Sequence, residues 1–120
     1  MSNRIMRIND EILRECAKII HYDLEDPRIG IMTTVVRVDT TTDLKYCKIY
    51  VSIFGDKDKK NEGLQALKDA SKYIRKLLAA RINLRNTPEI KFILDDSLDH
   101  SMKMDQIFKD LKENQGENHE

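Results

Sequence analysis

The chain has 120 residues, which is long enough for one domain with a single hydrophobic core. Hydrophobic residues make up 40 % and charged residues 35 %, a globular composition that excludes an intrinsically disordered chain. No apolar run approaches the roughly 20 residues of a membrane span, and the start "MSNRIMRIND" has no apolar signal core. We therefore expect a soluble, cytoplasmic protein.

The net charge is zero, but the charges are unevenly distributed. Residues 68–91 contain seven Lys/Arg and two acids, a net charge of +5. Residues 95–120 contain eight acids and three lysines, a net charge of −5. A basic segment followed by an acidic one is a recognised hint of nucleic-acid contact.

The first predicted element is an amphipathic helix from about Asn3 to Tyr22. Its apolar residues recur every three or four positions, as one face of a helix requires. They are Ile5, Ile8, Ile12, Cys16 and Ile19.

The string "DPRIG" (Asp26–Gly30) follows this helix. Pro27 disfavours helical backbone at Asp26, and Gly30 suits the last position of a turn. The string therefore ends the helix and leads into a strand. Arg28 is not needed for the turn, so it either pairs locally with Glu25 or Asp26 or contacts another molecule.

Two β-rich segments come next, joined by "TTTD". Thr33–Asp39 is β-branched and partly alternating, and Leu44–Phe54 alternates between apolar and polar residues. The pattern predicts an antiparallel hairpin with one buried face. In the second strand the apolar face carries Cys47, Ile49, Val51 and Ile53, and the other face carries Tyr46, Lys48, Tyr50 and Ser52.

Helical periodicity returns over roughly Asn61–Ile82, and the apolar stripe shifts near Ala70, which predicts an interruption there. The outer face of this helix is basic and carries Lys68, Lys72, Arg75, Lys76 and Arg81. "LRNTPE" then reads as a loop, and Glu89–Asp95 as a third strand. A last helix is predicted from Ser97, and residues 113–120 form a polar tail after a domain of residues 1–112.

The predicted order is α-β-β-α-β-α, an α+β fold. The second strand, the second helix and the third strand form a βαβ unit, whose crossover should be right-handed. We expect a mixed sheet of order 1-2-3, with strands 2 and 3 parallel and the helices on one face.

Five strings in this order resemble the ribosome-binding factor A family of bacterial small-subunit assembly factors. They are Arg4-x-x-Arg7, "DPRIG", "DLKYCKIYVSIFGD" (Asp43–Asp56), "YIRKLL" (Tyr73–Leu78) and "LRNTPEIKFILDDS" (Leu84–Ser97). The resemblance implies a type II KH-like fold that binds small-subunit ribosomal RNA. It also implies help in late maturation and rRNA processing of the immature small subunit, including in the cold. We expect no catalytic activity, cofactor, metal or membrane contact, and a monomeric protein.

The family has a helix–kink–helix with an Ala-x-Gly string where ordinary KH domains have a Gly-x-x-Gly loop. Here the matching residues are Ala70-Ser71-Lys72, with lysine in place of the glycine. Because lysine does not readily take a positive φ, we expect a milder bend or a local break centred on Ser71. We expect Ser71 to be exposed beside the basic face, where its hydroxyl can bond nearby backbone.

The candidate RNA contacts lie on the second helix, near the N terminus, at the hairpin end, in the "DPRIG" turn and in the "LRNTPE" loop. Lys and Arg there can neutralise phosphates and release counterions, although a charged helix face is also common in proteins that bind no nucleic acid. The candidates are Arg4, Arg7, Arg28, Lys45, Lys68, Ala70, Ser71, Lys72, Arg75, Lys76, Arg81 and Arg85.

Other polar clusters have structural explanations that we favour. Tyr46 and Tyr50 with Lys48 could form a base-stacking platform, but such tyrosines more typically cover the exposed sheet face or pack under the last helix. Asp95, Asp96 and Asp99 could hold a metal in a nuclease, but helix capping is more routine. The alternatives to the ribosomal assignment are thus a metal-dependent RNA nuclease and a protein-interaction module without RNA binding. The cysteines Cys16 and Cys47 lie on apolar faces, and His21, His100 and His119 share no motif.

Overall fold

The computed structural model describes residues 3–30 and 33–95. The helices are α1 (Asn3–Lys18), α2 (Lys57–Asp69) and α3 (Ser71–Arg81), and a π-helical turn (Ile19–Asp23) continues α1. The strands are β1 (Thr33–Thr40), β2 (Tyr46–Ile53) and β3 (Glu89–Leu94). Within this part of the chain no helix has the length and apolar character needed to cross a bilayer. The predicted last helix from Ser97 and the tail at residues 113–120 lie outside the described residues.

The sheet confirms the predicted topology. Its order is β1-β2-β3, with β2 antiparallel to β1 and parallel to β3. In β2 the alternating residues predicted to face the core are all buried: Cys47, Ile49, Val51 and Ile53. The expected α+β class is confirmed, and the arrangement is compatible with a type II KH-like fold.

The apolar stripe of α1 packs into the core as predicted. Ile8, Ile12 and Cys16 are buried there together with Ile49 and Phe92. At the end of α1 the backbone widens into the π-helical turn, where the N–H of Leu24 donates to the carbonyl of Ile19 at 3.1 Å. The helical segment therefore ends one residue beyond the predicted Tyr22.

The helix after the hairpin begins earlier than the predicted Asn61. Gly55 takes a φ of 141°, a left-handed backbone that favours glycine. Asp56 then caps α2, its side chain accepting the N–H of Lys59 at 2.8 Å. The capping bond satisfies one of the first N–H groups, so the charged run from Lys57 joins the helix.

A break at Ala70 separates α2 from α3, which confirms the predicted interruption. Its centre is Ala70, not Ser71, and the backbone there has φ −88° and ψ 0°, which an alanine can adopt. The N–H of Ala70 still bonds the carbonyl of Ala66 at 3.0 Å, and Ser71 Oγ donates to the carbonyl of Leu67 at 3.1 Å. Ser71 is half-buried, not exposed as expected, because its hydroxyl turns back onto the preceding helical turn.

Candidate nucleic-acid interface

An open groove lies between the helix break and β3, and we call it the kink groove. It has a volume of about 390 Å³. Its lining residues are Lys68, Ser71, Lys72, Arg75, Glu89, Ile90, Lys91 and Phe92. Four of the candidate residues therefore lie beside β3, an edge strand of the described sheet: Lys68, Ser71, Lys72 and Arg75.

Lys91 in the kink groove was not predicted as a site residue. It lies on β3 opposite Lys48 of β2, on the side of the sheet away from the core. The alternation of "EIKFIL" already places Lys91 off the core face, so a signal was present. What the pattern does not show is that β3 runs beside the helix break.

A second open groove, which we call the hairpin groove, lies between the hairpin turn and the loop before β3 and borders Arg75. It has a volume of about 560 Å³. Its lining residues are Arg4, Asp43, Leu44, Lys45, Tyr46, Arg75, Leu84, Arg85, Asn86, Thr87 and Glu89. The two grooves share Arg75 and Glu89, so they form one continuous surface.

Arg75 is held at the junction of the two grooves by the loop before β3. Its Nε and Nη2 donate to the carbonyl of Thr87 at 3.2 and 2.8 Å. A guanidinium has five N–H donors, so this fork leaves donors for a further acceptor. Arg75 thus fixes the loop onto α3 and can also meet an anion.

Two candidate arginines lie outside both grooves and are ion-paired. Arg81 Nη2 lies 2.7 Å from Asp23 Oδ2, which joins the end of α3 to the π-helical turn. Arg28 Nη2 lies 2.7 Å from Asp26 Oδ2 and 3.2 Å from Asp69 Oδ2. Arg28 therefore forms the local ion pair with Asp26 that the sequence left open, and a long-range pair as well.

The remaining candidates line neither groove. Arg7 and Lys76 are exposed on α1 and α3, and Ala70 is half-buried at the break. The kink and hairpin grooves thus bring together Arg4, Lys45, Lys68, Ser71, Lys72, Arg75 and Arg85.

The two tyrosines of β2 have different surroundings. Tyr50 is half-buried, and the guanidinium carbon of Arg37 lies 4.1 Å from its ring centroid. Tyr46 is 55 % exposed and borders the hairpin groove. One ring is covered by an arginine and the other is open to a ligand.

Residues 3–30 and 33–95 contain no group of three or more His, Cys, Asp or Glu side chains that could hold a metal ion. Asp96 and Asp99 lie outside these residues. Both cysteines are free and buried, as predicted. Burial raises the pKa of Cys16 to about 12 and that of Cys47 to about 11, which keeps both thiols protonated.

Fold and surface together define a small α+β domain with a broken helix and a basic double groove beside an edge strand. The family model of ribosome-binding factor A matches residues 4–108, and the chain belongs to this family. Ribosome-binding factor A of Clostridium tetani is 50 % identical over 112 residues, which are 93 % of each chain.

Solved structures agree with the sequence matches. The crystal structure of ribosome-binding factor A from Thermus thermophilus has a TM-score of 0.67 and 28 % identity, covering 75 % of this chain and 93 % of that one. A Thermus thermophilus homology model of the same factor, fitted into a cryo-EM map of a complex with the 30S subunit, has a TM-score of 0.61 and 27 % identity. It covers 73 % of this chain and 91 % of that one.

Proposed function

We propose that this protein binds ribosomal RNA of the immature small subunit and assists its late maturation, including in the cold. It acts in the cytoplasm as a monomer and without catalysis. The observation that carries the proposal is the kink groove, where Lys68, Lys72, Arg75 and Lys91 line the space between a helix break and the β3 edge of the described sheet. Two observations support a ribosomal partner: membership of the ribosome-binding factor A family, and the Thermus thermophilus factor that was fitted into a map of a 30S complex.

The kink groove suits a single RNA strand. Lys68 and Lys72 are exposed on either side of the break and can neutralise successive phosphates. In the described sheet β3 is an edge strand, and its outer backbone donors and acceptors can meet the edges of unpaired bases. Phosphates on the helix side and bases on the strand side would fix the direction of the RNA.

Such a factor works by differential binding. It shifts the RNA toward the conformation that fits the groove, and its effect is limited by the difference in affinity between immature and mature forms. Release follows when the mature RNA no longer presents that strand.

The test compares two double variants. Lys68→Ala with Lys72→Ala removes two groove cations, and Lys18→Ala with Lys57→Ala removes two exposed lysines that line neither groove. Binding to immature small subunits and to single-stranded rRNA fragments is measured over a range of salt concentrations. The groove variant should reduce the log–log salt slope by about 0.7 for each phosphate that it no longer neutralises, and the control should not.

An unchanged slope in the groove variant places the RNA elsewhere on the protein. Binding to a small-subunit protein with little salt dependence, and to no RNA, indicates a protein-interaction module instead.

A further inference from the structure

We propose that the hairpin groove is a second binding site, which takes one unpaired nucleotide of the RNA. The base stacks on Tyr46, and its phosphate lies beside Arg4, Lys45 and Arg85. The inference rests on the proposed function and adds a subsite in the hairpin groove that holds one unpaired base of the bound RNA.

The open ring of Tyr46 is the first support. Tyr46 is the first residue of β2 and is 55 % exposed at the wall of the groove. Every base has a π-face, so stacking on an aromatic ring binds unpaired nucleotides with little dependence on sequence. Tyr50, further along the same strand, already has Arg37 on its ring and is not available in this way.

The charges of the groove favour a nucleotide over an uncharged ring. Arg4 comes from α1, Lys45 from the hairpin, and Arg85 from the loop before β3, so three separate elements bring cations to one site. Arg75 closes the groove through its fork on Thr87.

Two carboxylates also line the groove. Asp43 accepts bonds from Thr41 Oγ1 at 2.7 Å and from the N–H of Lys45 at 3.1 Å, so it belongs to the turn. Glu89 lines both grooves, is paired in register with Tyr46, and donates its N–H to the carbonyl of Lys45 at 2.9 Å. Its charge repels a phosphate there, so the phosphate is expected beside the cations, away from Glu89.

The turn that presents Lys45 and Tyr46 is fixed in a costly backbone conformation. Leu44 has a φ of 62°, the one non-glycine with a positive φ in residues 3–30 and 33–95. Bonds from Leu44 N–H to the Thr41 carbonyl at 2.9 Å and from Tyr46 N–H to Thr41 Oγ1 at 3.1 Å hold it. Backbone strain of this kind is concentrated at functional sites, where it presets side chains before the ligand arrives.

The experiment follows the base directly. A single-stranded rRNA fragment is made with the fluorescent base 2-aminopurine at one position at a time, and each version is titrated with the full chain. Stacking on an aromatic ring quenches this fluorophore. One position should be quenched by the natural chain and by Tyr46→Phe, and not by Tyr46→Ala.

Affinity gives the second readout. Tyr46→Ala should weaken binding by about 5-fold to about 150-fold, the range for removal of one base stack. Lys45→Ala should weaken binding and flatten its salt dependence while the quenching at saturation remains. Tyr22→Ala is the matched control, because Tyr22 is 83 % exposed and lines neither groove.

The outcomes separate this inference from the proposed function. If no position is quenched by the natural chain, or if Tyr46→Ala quenches and binds like the natural chain, the nucleotide site is overturned. If Tyr46→Ala abolishes quenching while the Lys68 and Lys72 double variant binds normally, the nucleotide site in the hairpin groove stands. The RNA strand then does not bind in the kink groove. If the natural chain binds no RNA, both proposals fail.

Discussion

Arg28 connects the turn after α1 to the residue that precedes the helix break. Its Nη2 lies 3.2 Å from Asp69 Oδ2, across 41 positions of sequence, and 2.7 Å from Asp26 Oδ2. Gln65 Nε2 donates to Asp69 Oδ1 at 2.9 Å, so Asp69 is held from two sides. The "DPRIG" string therefore fixes the end of α2 as well as turning the chain.

We expect Asp69→Asn to loosen the end of α2 with little effect on global stability. Exposed ion pairs contribute little, and Arg28 keeps its pair with Asp26. The melting temperature should change by only a few degrees, while backbone amides around Ala70 exchange faster in hydrogen exchange. Glu62→Gln is the control, an exposed acid on the same helix. Unchanged exchange at the break would mean that Arg28 does not hold it.

The same pair predicts a pH dependence. Hydrogen bonds from Arg28 hold the pKa of Asp26 below its ordinary value of 3.8, and bonds from Gln65 and Arg28 do the same for Asp69. A carboxyl with a lowered pKa in the folded state contributes stability that is present above its unfolded pKa and is lost as the pH falls through its folded pKa. The stability difference between the natural chain and Asp69→Asn, small because the ion pair is exposed, should therefore be constant above about pH 5 and shrink below about pH 4. Urea denaturation over that range measures it.

The raised pKa values of the two cysteines predict that folding stability falls as the pH rises in the alkaline range. Burial raises both pKa values from 9.0, to about 12 for Cys16 and about 11 for Cys47, and the nearby Cys47 adds to the shift of Cys16. The unfolded chain loses these protons first, so this stability contribution is complete below about pH 9 and falls as the pH rises beyond it. At pH 8 a thiol reagent should label neither cysteine in the native chain and both in denaturant. Rapid labelling of the native chain would show that the core opens readily.

The fold was largely predictable because the periodic patterns are strong. The alternation from Cys47 to Ile53 fixed the buried face of β2, and the stripe from Ile5 to Cys16 fixed that of α1. The early start of α2 was missed although its signal was present, since an aspartate after a glycine is a typical helix cap.

The site was less predictable because charge patterns do not show tertiary partners. Arg81 and Lys72 both lie off the apolar stripe, yet Arg81 is paired with Asp23, 58 positions away, and Lys72 lines a groove. The hairpin groove forms where the loop before β3 meets the hairpin end, and the kink groove forms where the helix break meets β3. No local sequence pattern encodes either meeting.

Lys72 stands at the position where the Ala-x-Gly string of the resemblance has glycine. Lys72 lies in the first turn of α3, and the break is made at Ala70 without any left-handed residue. The helix break therefore does not need a glycine at position 72. We infer that the lysine contributes to binding through its charge.

Lys72→Gly and Lys72→Ala separate charge from backbone. Both remove one cation that can neutralise a phosphate, so both should lower the RNA salt slope by about 0.7 and weaken binding equally. Glycine disfavours helix by about 1 kcal/mol relative to alanine, so the glycine variant should melt at a lower temperature. Salt-dependent binding and thermal denaturation of the two variants give the comparison. Tighter RNA binding by Lys72→Gly than by Lys72→Ala would show that backbone freedom at the break, and not the lysine charge, limits recognition.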